Sequence, residues 1–215
     1  MSRVFFTLLV VGLAVVSASA QTSSNPSSQS SCTLTVSQSP AIRGLRLGLS
    51  VEQLVSLLPM SRQQAEIIRE ANKDRGYPNY GFAEFSVSRY TYPAVFAERF
   101  AGIDSFFVTV FDGTVTTLRV SYAKSHETPG GASWPGLDDF IAKLSEAFTL
   151  PPARSWIFAS PSEKSLRCEG FEVSASNSNF TGSITMRLIP YSTYVDALNL
   201  RRAADEENLR REFKP

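Results

Sequence analysis

Apolar and polar positions change their rhythm several times along this chain, and each rhythm predicts an element. Residues 4–16 carry no charge, whereas 21–31 (QTSSNPSSQSS) hold almost nothing that could be buried. From residue 32 onward the pattern becomes that of a folded domain. CTLTV at 32–36 alternates and predicts a strand. Over 50–58, Val51, Leu54, Val55 and Leu58 recur at helical spacing. Ser50 and Gln53 take the capping-box form ahead of that run, and Pro59 stops it. Ser61 with Gln64 opens a second helix through 72, with Ile67, Ile68 and Ala71 as its stripe. Phe85 and Val87 then suggest a strand.

The strongest β signal lies at 106–122, where Asp112-Gly113 sits between two apolar runs. That dipeptide favours a type I′ hairpin turn because both central residues need positive φ. Counting outward from a two-residue turn puts Phe107, Thr109, Phe111, Thr116, Leu118 and Val120 on one face. Phe106, Val108, Val110, Val115, Thr117 and Arg119 fall on the other. A polar break at 125–131 follows. Leu137, Phe140, Ile141, Leu144 and Phe148 then mark a helix over 137–148, ended by Leu150-Pro151-Pro152. Two strands are expected at 165–176 and 183–189, joined by NSNFTG, and a charged helix over 194–213 closes the chain.

This order predicts an α+β fold with helices on one face of an antiparallel sheet. The globular part, 32–193, divides into helix-plus-strand units at about 32–124 and 132–193, and 194–215 form the charged C-terminal helix. Both units contain a helix ended by Leu-Pro (Leu58-Pro59 and Leu150-Pro151), a faint internal likeness.

The N-terminal pattern reads as a cleavable signal peptide over 1–20. Arg3 supplies the positive start, 4–16 the apolar stretch, and Ala18 and Ala20 the small residues before a cut between Ala20 and Gln21. The apolar stretch falls short of the roughly 20 residues that span a bilayer. Residues 21–31 then form a flexible spacer. The expected location is outside the cytoplasm, periplasmic or secreted, with no stable membrane insertion after cleavage. Cys32 and Cys168 are the two cysteines, and in an oxidising compartment one bridge between them is the simplest account. The residues leave open two buried free thiols or an intermolecular pair. Lys and Arg number 21 against Asp and Glu 20, so no basic field is present to attract nucleic acid.

Residues 42–54, IRGLRLGLSVEQL, resemble the strand-to-helix entry of two related groups: the small lipoprotein of the outer-membrane β-barrel assembly machinery, and the β-lactamase inhibitory protein. Both are built from helix–helix–strand units on an antiparallel sheet. The resemblance implies a non-catalytic, envelope-associated domain that binds another protein, as yet unidentified. The lipidated cysteine of the assembly lipoprotein has no counterpart at Gln21.

Little in the chain suggests chemistry. His126, the single histidine, falls in a polar loop, and no G-x-S-x-G elbow accompanies it. Asp138-Asp139 suits the first turn of a helix on electrostatic grounds alone. Glu169 and Glu172, read as members of one strand, fall on opposite faces and cannot act as a pair. No phosphate loop, dinucleotide fingerprint or metal-ligand cluster is present, so no cofactor, metal or catalytic residue is expected. A hydrolase using dispersed carboxylates or His126 is the alternative, and a carrier of an apolar ligand a second one. Because the hairpin reads as apolar on both faces, Phe106, Val108, Val110 and Arg119 form the candidate partner-binding face.

Overall fold

A computed structural model describes residues 32–73, 76–77, 79–123, 135–178 and 181–212. The signal segment 1–20 with its Ala20–Gln21 cut, the spacer 21–31, His126, Asn179, Phe180 and the side chain of Ala71 lie outside the described residues.

Seven antiparallel strands form one sheet: β1 (Phe82–Ser88), β2 (Ile103–Phe111), β3 (Thr114–Ala123), β4 (Ile157–Ser160), β5 (Glu163–Arg167), β6 (Phe171–Asn177) and β7 (Thr181–Leu188). Their order is β1-β2-β3-β7-β6-β5-β4. The last strands of the two halves, β3 and β7, meet at the centre, and each half then runs outward in reverse chain order. With five α-helices the class is α+β: α1 (Val51–Leu57), α2 (Arg62–Lys73), α3 (Pro93–Arg99), α4 (Leu137–Phe148) and α5 (Tyr191–Glu212).

Both capping boxes form. The Ser50 amide donates to Gln53 Oε1 at 3.0 Å and the Gln53 amide to Ser50 Oγ at 3.3 Å. The Ser61 amide donates to Gln64 Oε1 at 2.9 Å, and the Gln64 amide returns to Ser61 Oγ at 3.1 Å. These pairs satisfy amides that have no partner inside a helix. Among the described side chains of α2 the buried ones are Ala65 and Ile68, while Ile67 is 59% exposed. Consecutive helical residues lie about 100° apart, so Ile67 and Ile68 cannot both face the core.

Four expectations need correction. Residues 32–36 do not form a strand: Thr35 makes a single parallel bridge to Glu169, and a 3-10 turn (Val36–Gln38) follows. What holds this segment is the Glu169 amide donating to the Leu34 carbonyl, together with a disulfide between Cys32 and Cys168. The strand expected at 165–176 is two strands, because Gly170 (φ +81°) reverses the chain and the Cys168 amide donates to the Phe171 carbonyl. Glu169 therefore sits in a turn, and the one-strand argument about Glu169 and Glu172 lapses. Helix α3 and strand β4 carry too few turns or residues to show a period, and they emerge only in three dimensions.

The fourth correction concerns the hairpin. Asp112 (φ +47°) and Gly113 (φ +75°) make the expected turn, and Val110 pairs with Val115. Beyond that pair the register shifts, and Thr109 faces Thr117 rather than Thr116. Thr116 is the extra residue of a β-bulge, and a one-residue slip exchanges the faces of everything after it. Leu118 and Val120 thus join Phe106, Val108, Val110 and Val115 on one face. All six are at most 1% exposed.

That face is the core face. Phe96 and Phe100 of α3 stack on Phe106, with ring centroids 5.9 and 5.0 Å away. Phe140 of α4 meets Tyr122 edge-on at 6.0 Å. Leu54 of α1 and Ile68 of α2 belong to the same apolar cluster, which extends through Val173, Ile184 and Met186. Helix α5 stands apart from this layer and has no buried residue. Its Tyr194 lies edge-on to Phe111, whose side chain alternates to the face opposite Val110.

A polar sheet face as candidate functional site

Alternation that buries Val108, Leu118, Met186, Val173 and Leu166 turns their neighbours to the other side of the sheet. The register lines those neighbours up in rows across the strands. One row crosses all seven: Ser88, Ser105, Ser121, Ser183, Ser176, Glu163 and Ser160. Another runs Ser86, Phe107, Arg119, Thr185, Ser174, Ser165 and Ile157. The third, six strands wide, is Glu84, Thr109, Thr117, Arg187, Glu172 and Arg167. At about 4.8 Å between strands the seven-strand row is about 29 Å wide.

Side chains within the rows engage one another. Ser121 and Ser183 hydroxyls lie 3.1 Å apart across the central β3–β7 pair. Arg119 donates from Nε to Thr185 Oγ1 at 3.2 Å, its guanidinium 5.8 Å from the Phe107 ring centre. Arg187 donates from Nη2 to Glu172 Oε1 at 2.8 Å, and Thr109 Oγ1 to Glu84 Oε1 at 3.3 Å. Between Arg119 and Arg187 on one side and Glu163 on the other lies a shallow cup of about 320 Å³, floored by Ser174, Ser176, Ser183 and Thr185. The surface thus carries hydroxyls that both donate and accept, with charges of both signs.

The candidate face expected from the sequence divides across the sheet. Phe106, Val108 and Val110 are 0% exposed within the core cluster, Phe106 against Phe96 and Phe100, so they offer no surface to a partner. Arg119 alone lies on the polar face. The bulge explains the difference: it gathers the apolar residues of both hairpin strands on one side and leaves Phe107, Thr109, Thr117 and Arg119 on the other. What sequence reasoning missed had a visible trace in the alternation S-V-S, R-V-S, S-A-S and S-I-T-M-R at 86–88, 119–121, 174–176 and 183–187.

Carboxylates elsewhere have structural work. Asp138, at the start of α4, pairs with Lys164, whose ammonium lies 4.2 Å from the Phe158 ring centre. Asp112 accepts two bonds from Arg201, at 2.8 and 2.7 Å. The hydrogen bond to Asp112 raises the Arg201 pKa above its ordinary value. Arg201 also donates to the Tyr80 carbonyl at 2.7 Å, and the Tyr80 hydroxyl donates to Asp205 at 3.0 Å. A Cβ at Gly81 would meet Asp112 Oδ1 at 2.5 Å and Arg201 Nη1 at 2.8 Å, so a substitution there displaces the clasp as well as straining a backbone at φ +78°. On the core side, burial pushes the Tyr122 phenol well above its ordinary range.

Among the described residues, no group of three or more His, Cys, Asp or Glu side chains could hold a metal ion, and no helix is long and apolar enough to cross a membrane. The disulfide points to an oxidising, non-cytoplasmic environment. No protein-family model matches the chain, and neither does any curated protein or solved structure.

Proposed function

We propose that this chain is an exported, non-enzymatic binding protein of the periplasm or external medium that takes a protein partner on the polar face of its sheet. The observation that carries the reading is the seven-strand row from Ser88 to Ser160, which includes Glu163, with Arg119, Arg187 and Glu172 in the rows beside it. Rigid strands hold these groups at fixed spacing, so little conformational entropy is lost when a partner engages them. Mixed charge suits a protein surface better than a polyanion, which would call for a basic field. The disulfide supports the location, and the signal-like pattern at 1–20 agrees with it. The likeness of residues 42–54 to envelope assembly and inhibitory proteins points the same way.

The test is capture of partners from the native envelope and culture-medium fractions by the oxidised protein starting at Gln21. Arg119→Glu and Ser183→Arg variants serve as comparisons, and melting curves verify their fold. A specific protein retained by the parent and lost with both variants is the expected result. Equal retention by parent and variants, or none at all, would refute this use of the face.

A further inference from the structure

The two edges of the sheet are built differently, and the difference points to a second interface. Strand β4 has four residues and a register shift between Phe158 and Ser160. Short, bulged edges resist pairing with another chain. Strand β1 is the opposite: seven residues, FAEFSVS, in unbroken register with β2, holding neither proline nor lysine and a single charge, Glu84. Beside it, between β1 and α2, runs a groove of about 310 Å³ lined by Gln64, Ile67, Ile68, Phe82, Ala83 and Phe85. Ile67 stands 59% exposed at this groove. The Phe82 amide and the Ser88 carbonyl at the two ends of this edge are taken by Asn79 and by Thr91 and Tyr92. An extended strand laid along β1 would therefore bond to the outward amides and carbonyls of Glu84 and Ser86 and send every second side chain toward the groove.

We infer that the occupant is a second copy of this chain, its β1 pairing antiparallel with the first and Phe85 opposite the Phe85 of the other copy. The sequence of β1 is complementary to itself in that register. Phe82 then faces Ser88, Ala83 faces Val87, and Glu84 faces Ser86, so no like charges oppose and the backbone bonds fall to the outward groups of Glu84 and Ser86 in both copies. Centring on Glu84 instead would set carboxylate against carboxylate, which is destabilising. A one-residue slip would set the apolar row (Ala83, Phe85, Val87) against the polar one (Glu84, Ser86). The chosen register is also isologous, the form a two-fold dimer requires. This interface lies at the edge of the sheet, and it stands whether or not the polar face binds a partner.

Sedimentation of the oxidised protein from micromolar to submillimolar concentration tests the inference. The expected result is a reversible shift to twice the chain mass, weakened at least tenfold by Ile67→Lys and by Phe85→Lys. Ile67 is exposed, so its variant leaves the fold intact even if Phe85→Lys does not. Register is read separately by mixing Glu84→Cys with Ser86→Cys under oxidation, where the mixture should cross-link far more than either variant alone. A monomer at every concentration, or a dimer indifferent to Ile67→Lys, would overturn the inference. So would cross-linking strongest within Glu84→Cys alone. Tight binding of an alternating apolar peptide at β1 by a protein that stays monomeric would assign the edge to a different partner and overturn it too.

Discussion

The two faces of the sheet are made by the same strands and share little else. On one side Phe106, Val108, Leu118, Phe171, Val173, Ile184 and Met186 are sealed beneath helices at 0% exposure. On the other, serine, threonine, arginine and glutamate lie in rows. Stability resides on the first face, where each buried side chain contributes a few kcal/mol. Hydroxyls on the second exchange water for one another at little net gain. One inserted residue, Thr116, keeps the two sets apart within the hairpin.

Deleting Thr116 should therefore break the contrast most completely. Without the extra residue, Leu118 and Val120 rotate to the polar side and Arg119 rotates into the core, and the expected outcome is loss of cooperative unfolding in urea. Phe106→Ala is next: removing a ring packed against both Phe96 and Phe100 should cost about 3–5 kcal/mol in equilibrium denaturation. Arg201→Ala tests the region that belongs to neither face. It should cost about 1 kcal/mol at this partial exposure and speed amide exchange in α5 while the strands stay protected. Smallest of all, Ser183→Ala on the polar face should change stability by less than about 0.5 kcal/mol. A large effect there would make the hydroxyl row structural and remove the distinction between the faces.

Much of the frame was legible in the residues. Capping pairs at Ser50–Gln53 and Ser61–Gln64, the Asp112-Gly113 turn and the stripe of α4 are local signals, each satisfied by neighbours within a few positions. Count and expected compartment made one Cys32–Cys168 bridge the simplest of three accounts, and it is the one that forms. The bulge leaves only a small trace: Val115 and Leu118 are three positions apart, which breaks the period of two at Thr116-Thr117 without saying which residue is the extra one. Gly170 lies within a run that has strand chemistry on both sides, and its freedom to take positive φ makes the β5–β6 reversal possible. The rows on the polar face needed the registers of six strand pairs, and no single segment contains that information. Placing Phe106, Val108 and Val110 at a binding surface was the consequence of counting without the bulge.

The bridge from Cys32 to Cys168 joins residues 136 apart. In the chain-entropy account, closing so long a loop removes about 5 kcal/mol of freedom from the unfolded chain. Order of synthesis gives it a further meaning. Cys32 emerges before any strand exists, and its mate follows only after β1, β2, β3, α4, β4 and β5 have been made. For that whole interval the first thiol has no correct partner within its own chain and is open to exchange with foreign thiols. The bond therefore cannot guide early folding. It ties the N-terminal segment to the turn ahead of β6, and in order of synthesis it becomes possible before β7, the strand that joins the second half of the sheet to β3, has been made.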